Sequence, residues 1–375
     1  MSQRFFATTA KGVEPVLASE LHRLGAQQIS EGTGGIGFLG NIEMAYRANL
    51  WLRTANRVLM PVLDFNCFSE KELYEGVRRI DWRRYLTQKM TIAVDANVRD
   101  SNIKHSKYAA LKTKDAIVDQ LREKLGSRPS VNPVNPDLRI NVHILRNRCT
   151  VSLDTSGESL HKRGYRVVSV EAPLKETLAA AIVELTGWDA MSPLVDPMCG
   201  SGTIVIEAAL KAANIAPGLL RKTFGFQRWL DFNKGLWDTL MTEAQEARKH
   251  KIEAAILGSD ISERAIEAAT TNARAATVSD PITFAVSDFR ELTPPPNHGI
   301  VVMNPPYGER LGEKKKLESL YKTIGDVFKK RWKGYMGYVF TGNLDLAKHI
   351  GLKASRRIVL YNGPIESRLL KFELY

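Results

Sequence analysis

Leu194-Val195-Asp196-Pro197-Met198-Cys199-Gly200-Ser201-Gly202-Thr203 is the stretch that decides the fold. An apolar run ends in an acid, turns through Gly-Ser-Gly and opens into a helical pattern over 203–213. Glycines in such a turn let the backbone approach a ligand closely. The helix start offers free N–H groups to a carboxylate or phosphate. A tight loop after any strand can look the same, so the reading needs support from the rest of the chain. Apolar runs recur at 254–258, 282–286, 299–303, 337–341, 356–361 and 369–374, with helical patterns at 262–276, 317–331 and 344–351. Strands alternating with helices make βαβ units around a parallel sheet. Asn362, Gly363 and Pro364 leave no room for a helical crossover, so the last two strands are expected to pair antiparallel. The expected fold is α/β: a doubly wound, seven-stranded, mostly parallel sheet with an antiparallel C-terminal hairpin.

Two further acids strengthen this. Ser259-Asp260 follows the second run, and Ser287-Asp288-Phe289 follows the third. An acid ending the second strand of a doubly wound sheet suits a ribose diol. One ending the third can accept from an adenine amine, with Phe289 against the ring. Either acid alone also reads as a helix N-cap, and Asp260 stands before an obvious helix. Three acids at successive strand ends favour a ligand. The loop lacks the third glycine of the dinucleotide fingerprint, and no G-x-x-x-x-G-K-[ST] stretch occurs. A nucleoside with a carboxylate-bearing tail fits better, which points to S-adenosylmethionine.

The fourth run ends in Asn304-Pro305-Pro306-Tyr307-Gly308. Two prolines fix a stiff extended turn and bring carbonyls without N–H groups. The turn presents two acceptors, the Asn304 amide oxygen and the Pro305 carbonyl, beside the flat Tyr307 ring. That suits the exocyclic amine of a base, whose lone pair is delocalised into the ring. Acceptors gripping its hydrogens favour the pyramidal form and aim the lone pair at an electrophilic methyl group. Stacking on Tyr307 holds a flipped base. A merely stiff turn is the bland alternative. No Pro-Cys pair stands here, which argues against a cysteine adduct with a pyrimidine.

The first half reads differently. A strand candidate at 5–7, an amphipathic helix at 13–24 with Pro15 in its first turn and a helix at 42–50 suggest a small α+β unit near 1–65. The Gly-rich stretch 32–40 runs into Asn41, so it reads as a hairpin turn before a strand at 36–39, not a phosphate loop. A second unit over 66–155 carries helices at 69–79 and 107–125, strands at 90–97, 138–145 and 148–154, and a proline-rich loop at 127–136. An insertion over 216–250 holds Phe224, Phe226, Trp229, Phe232 and Trp237, expected to form a helical cap on the sheet. Net charge is +12, of which +9 lies within residues 1–170, so the first half suits a polyanion. The histidines show no ligand spacing, and Cys67, Cys149 and Cys199 form no CxxC pair. Neither a metal site nor a disulfide framework is expected, and a reducing cytoplasm fits. No apolar run approaches the ~18–20 residues that span a bilayer.

Asp-Pro-x-Cys-Gly-Ser-Gly at 196–202 followed by Asn-Pro-Pro-Tyr at 304–307 resembles class I S-adenosylmethionine-dependent methyltransferases acting on exocyclic amines. Gly308-Glu309-Arg310 and Leu160-His161-Lys162-Arg163-Gly164-Tyr165-Arg166 resemble the THUMP-domain RNA methyltransferases, above all the bacterial guanine-N2-methyltransferases of 23S rRNA. The likeness covers nearly the whole chain. It implies a ferredoxin-like domain over 1–65, a THUMP RNA-binding domain over 66–155 and a Rossmann-like methyltransferase domain over 156–375. It implies a cofactor set of Asp196, Pro197, Cys199, Gly200, Ser201, Gly202, Asp260, Ile261, Asp288 and Phe289. Thr177 joins them from the segment 172–178 that covers the methionine end. Asn304, Pro305, Pro306 and Tyr307 would take the base. Arg99, Lys104, Lys107 and Tyr108 in the THUMP-like unit suit phosphate contacts, with a solvated helix face as the alternative. Lys162, Arg163 and Arg166 at the domain junction would guide RNA to the cleft. The implied reaction is methyl transfer to guanine N2, in 23S rRNA first and tRNA second. Adenine N6 stays open, since the turn serves both amines. So does a non-enzymatic RNA-binding assembly factor, against which the intact Asp196, Asp260, Asp288 and Asn304 set stands.

Overall fold

A computed structural model describes residues 2–169, 174–308 and 314–375, and arranges them around two sheets. Ala172, Pro173, Glu309 and Arg310, singled out in the sequence, lie outside the described residues. Among the described residues no helix is long and apolar enough to cross a membrane.

The first sheet opens with β1 (Gln3–Thr8), α1 (Glu14–Arg23), β2 (Gln27–Gly32), β3 (Gly35–Gly40), α2 (Ile42–Trp51) and β4 (Arg57–Asn66). It continues with α3 (Glu70–Arg78), β5 (Thr91–Arg99), α4 (Ser106–Leu125), β6 (Ser130–Val131), β7 (Leu138–Leu145) and β8 (Arg148–Asp154). Local chemistry sets the helix starts. The Asn41 side chain accepts from the Met44 N–H to cap α2, and Ser69 does the same for Glu72 in α3. Strand order is β2-β3-β1-β4-β8-β7-β5-β6. The units expected at 1–65 and 66–155 therefore share one sheet, because β4 pairs with both β1 and β8. Sequence periodicity gave no sign of β4. Pro61 interrupts it, and the strand tolerates that proline because its register with β8 shifts between Pro61 and Leu63. β2 is an exposed polar edge strand and likewise shows no apolar alternation.

The second sheet holds β9 (Leu194–Asp196), β10 (Ile256–Asp260), β11 (Ile282–Val286), β12 (Ile300–Met303), β13 (Met336–Thr341), β14 (Arg356–Asn362) and β15 (Ile365–Glu373). Its helices are α5 (Glu176–Leu185), α6 (Thr203–Ala212), α8 (Glu263–Ala275), α9 (Lys314–Arg331) and α10 (Leu344–Lys348), while α7 (Lys234–Glu246), between α6 and β10 in the chain, packs elsewhere. The order is β11-β10-β9-β12-β13-β15-β14, and only β15 runs antiparallel to its neighbours. The strand order reverses at β9, which places a crevice beyond its carboxyl end.

The aromatic insertion corrects an expectation. Phe224, Phe226, Trp229 and Trp237 do not cap the second sheet; they join the core under the first. Phe226 stacks on Tyr46 of α2 with centroids 4.2 Å apart, and its N–H donates to the Thr155 carbonyl. Asn233, which caps α7, is bonded through its own N–H to the Tyr46 hydroxyl. The C-terminal half thus sends a segment back to complete the core of the N-terminal half.

Candidate active site

The carboxyl ends of β9, β10, β11 and β12 bring together most of the residues singled out in the sequence. Asp196 ends β9 and is 1% exposed. Its carboxylate accepts the Met198 N–H at 3.1 Å. Burial first, and then the Asp260 carboxylate, push its pKa up to about 8. Asp260 ends β10 and ties two loops together, accepting Gly200 N–H at 3.0 Å and Ser262 N–H at 2.9 Å. Each carboxylate oxygen keeps a further lone pair for a ligand hydroxyl. The turn needs its glycines. Gly202, at φ +82°, sits where a Cβ would lie 3.0 Å from the Ala269 methyl of α8, so it lets α6 and α8 meet. Pro197 and Ser201 are buried within this turn.

Ile261 follows Asp260 and is 72% exposed; Val286, ending β11, is 54% exposed. Two open apolar side chains beside two strand-end acids match a purine's face and edge. Asp288 lies just beyond β11. Its carboxylate accepts the N–H and the Nε–H of Arg290, both at 2.9 Å, and that guanidinium holds its pKa below the ordinary carboxylate range.

Asn304 follows β12 with its Oδ1 buried and without a hydrogen-bond partner among the described residues. A buried acceptor left unpaired costs free energy, so the position favours a ligand that brings an N–H. Pro305 is buried and Pro306 exposed. Tyr307 stands beside them, its hydroxyl accepting from the Asn362 side-chain amide at 2.9 Å.

Several expectations need correction. Cys199 turns into the core with Ile266 and Ala269, and burial pushes its thiol pKa well up, so it shapes the loop without presenting sulfur. Phe289 packs in the core with Leu292, Val301 and Met303, so it forms the floor and not an open ring. The Thr177 hydroxyl donates to Asn56 Oδ1 at 2.9 Å, across the domain junction, so that proton is committed to the junction. Arg163 is 1% exposed and does not meet solvent; its Nε donates to Glu207 at 2.8 Å. Tyr165 donates to the same carboxylate at 3.0 Å, and Arg53 donates across the junction to the Ile215 carbonyl at 2.8 Å. Arg166 is likewise used internally, bonded to Glu176 at 2.9 Å. Lys162 is exposed and paired with Glu158. Arg99, Lys104, Lys107 and Tyr108 are exposed near the start of α4.

Sequence reading missed Asn272 of α8. Its Oδ1 accepts the N–H groups of Val167 and Val168 at 3.0 and 3.1 Å, and its amide donates to the Ser201 carbonyl at 3.2 Å. It pins the interdomain segment to the glycine turn. A lone asparagine inside a helical pattern carries no signal for that. Val286 was legible as a strand end but not as an exposed wall.

The strand order and the strand-end acids define a class I methyltransferase fold. The chain belongs to the RMKL-like methyltransferase domain family, whose model matches residues 163–371. Models of the THUMP domain and of the RlmL ferredoxin-like domain match residues 67–154 and 4–59. It is 48% identical to the ribosomal RNA large subunit methyltransferase K/L of Syntrophotalea carbinolica, over 99% of this chain. The chain spans about half of that relative's length, 53%. It is 42% identical to a Synechocystis sp. protein named "Putative RNA methyltransferase slr0064", over 99% of this chain and 97% of that one. In structure it is similar to SMU.472, described as "a putative methyltransferase complexed with SAH", with a TM-score of 0.90, 34% identity, and coverage of 100% and 98% of the two chains.

Proposed function

We propose that this protein transfers a methyl group from S-adenosylmethionine to the exocyclic N2 amine of a guanosine in 23S rRNA, acting in the cytoplasm. The observation that carries the reading is the buried Asn304 Oδ1 at the end of β12, unpaired among the described residues, in the strand-end cleft whose β10 and β11 ends carry Ile261, Val286 and two acids. When bound, S-adenosylmethionine supplies an electrophilic methyl group and a positively charged sulfur. Asp260 accepts from the ribose hydroxyls with its spare lone pairs. Ile261 and Val286 would cover the adenine, and Asp288 would accept from its amine. Asp196 and the backbone of the glycine turn shape the methionine end. Asn304 Oδ1 and the Pro305 carbonyl accept the hydrogens of the target amine, and Tyr307 stacks on its ring. The amine nitrogen would bond the methyl carbon as the carbon–sulfur bond breaks, the bonding pair returning to the sulfur of the departing S-adenosylhomocysteine, and the surplus proton of the amine would leave through these acceptors to water. Orientation and oriented dipoles supply the rate enhancement, with no covalent nucleophile.

The RNA assignment draws on the THUMP match, the basic first half and the exposed Arg99, Lys104, Lys107 and Tyr108. The rRNA target follows the name of the K/L relatives. In this reading residues 1–65 and 66–155 deliver RNA and 156–375 carry out the chemistry. Incubating the full chain with S-adenosylmethionine and in vitro-transcribed 23S rRNA, then analysing nucleosides by mass spectrometry, tests it. N2-methylguanosine is the expected product. N6-methyladenosine would replace guanine by adenine, and no methylated nucleoside from rRNA or tRNA would overturn the reading.

A further inference from the structure

Tyr307 is held at three points, and none of them belongs to its own motif. Its hydroxyl accepts a hydrogen bond from the Asn362 side-chain amide at 2.9 Å. Its ring meets Phe340 of β13 edge-on, 6.5 Å between centroids at 85°. It also lies over Gly342, where a Cβ would come within 2.8 Å of Tyr307 Cε2. Asn362 ends β14 and pairs with Ile365 across the tight turn of Gly363 and Pro364. Gly363 adopts φ +61°, which lets the hairpin close in two residues. The tip of the C-terminal hairpin, 55 residues downstream, therefore meets the aromatic ring of the Asn-Pro-Pro-Tyr turn.

We infer that Asn362 and Gly342 are positioning residues that fix the plane of the Tyr307 ring against the target base. This rests on the reading that Tyr307 stacks on that base. Productive stacking needs a ring plane held to within roughly 10–20°. Phe340 limits the ring on one edge, and Gly342 lets it lie against the chain just after β13. Neither of those contacts bonds the far end of the side chain. A hydrogen bond there, on the hydroxyl, opposes a swing about the Cα–Cβ bond with the longest lever the side chain offers. Gly342 does not have a positive φ, so an alanine there changes space and not backbone strain.

The same strand also carries the docking of the N-terminal half. Gly12, at φ +92°, lies on β14, where any Cβ would collide with the Val359 carbonyl. Lys11 Nζ sits 4.7 Å from the centroid of the Tyr361 ring. Asn362 is the next residue. The half of the chain that carries the basic surface thus leans on the strand that holds the ring.

The test uses the full chain with S-adenosylmethionine and in vitro-transcribed 23S rRNA. Asn362→Ala removes one neutral hydrogen bond and is expected to lower kcat roughly two- to tenfold, with KM for RNA and cofactor affinity little changed. Asn362→Asp, whose carboxylate accepts from the Tyr307 hydroxyl, restores most of the rate. Tyr307→Phe alone reproduces the loss, and adding Asn362→Ala to it lowers kcat no further. An equal extra loss in the Tyr307→Phe background would show Asn362 acting by another route and would overturn the proposal. A second readout needs no turnover. In protein labelled with 3-fluorotyrosine, the fluorine resonance missing from Tyr307→Phe reports the ring. It is expected to shift and broaden in both Asn362→Ala and Gly342→Ala; an unmoved resonance refutes positioning. Should the wild type methylate no RNA while that resonance still moves, the stacking reading falls and the positioning of the ring stands.

Discussion

Replacing Asp196 by Asn should stabilise the cofactor-free protein at neutral and alkaline pH. The carboxyl is 1% exposed and its pKa is pushed up to about 8, against an ordinary 3.8. Linkage sets the sign. Within the fold the group keeps its proton until about pH 8, whereas the unfolded chain releases it near pH 4. The contribution is therefore fully present below the unfolded pKa and is lost as pH rises through the folded one. Each unit of difference is worth about 1.4 kcal/mol, so by pH 7 the native state has lost on the order of 4 kcal/mol from this group alone. Asn is an uncharged isostere and carries no such term. Thermal unfolding of both proteins from pH 5 to pH 8.5 measures it. The gap between the two melting temperatures should widen by roughly 5 °C across that range for a chain of this length unfolding as one unit, with the variant higher at the alkaline end. Taking the difference cancels other groups that titrate there, including the buried Glu20 and Glu176, which burial also pushes up. Parallel curves would refute the reasoning, since they would mean that Asp196 is ionised in the fold and solvated or paired by something else.

The remaining predictions are narrower. Asp260→Ala should weaken S-adenosylmethionine binding roughly ten- to a hundredfold by calorimetry, because a charged acceptor is lost, and an unchanged dissociation constant in folded protein would count against the ribose assignment. Asn304→Ala should lower the methyl-transfer rate about a hundredfold or more at nearly constant cofactor affinity; turnover near wild type would remove Asn304 from the amine site. Phe226→Ala, emptying a fully buried ring from the joint core, should cost ~3–5 kcal/mol in chemical unfolding. Lys104→Glu with Lys107→Glu should weaken RNA binding in gel shifts and flatten its salt dependence, while cofactor affinity stays put.

Burial decided which elements were legible in the sequence. β9, β10, β12 and β13 lie in the interior of a mostly parallel sheet and read as short apolar runs, as does the apolar edge strand β11, and their ends fall beside acids and prolines with few other structural uses. β4 and β2 were opaque for opposite reasons: Pro61 broke the pattern of one, and solvent exposure removed the pattern of the other. Arg163 shows how charge alone misleads. Its basic neighbourhood suggested RNA, yet its guanidinium is spent on Glu207 and on the Arg53 carbonyl at the junction. Asn272 and Asn362 act through side-chain bonds to residues far away in sequence, and no local spacing announces such bonds.

The aromatic insertion bears on how substrate delivery and chemistry are coupled. A cut between residues 165 and 171 looks natural in sequence, since the strand-end cofactor residues lie beyond it. In the fold that cut strips Phe224, Phe226, Trp229 and Trp237 from the core of the N-terminal half. Burying one large apolar side chain is worth about 1.5–3 kcal/mol, so losing four would consume most of the stability of a typical domain. It would also leave Glu207 buried without Arg163, a broken ion pair of the costly kind. The two halves are thus not separate in folding. A flexible tether would let an RNA-holding unit sample many orientations and would dilute the target base at the cleft. A shared aromatic core, a buried ion pair and the Gly12–β14 contact instead give the basic surface one fixed register with the Asn-Pro-Pro-Tyr turn, so under the proposed function the orientation of a target base would be settled on docking and not searched for afterwards.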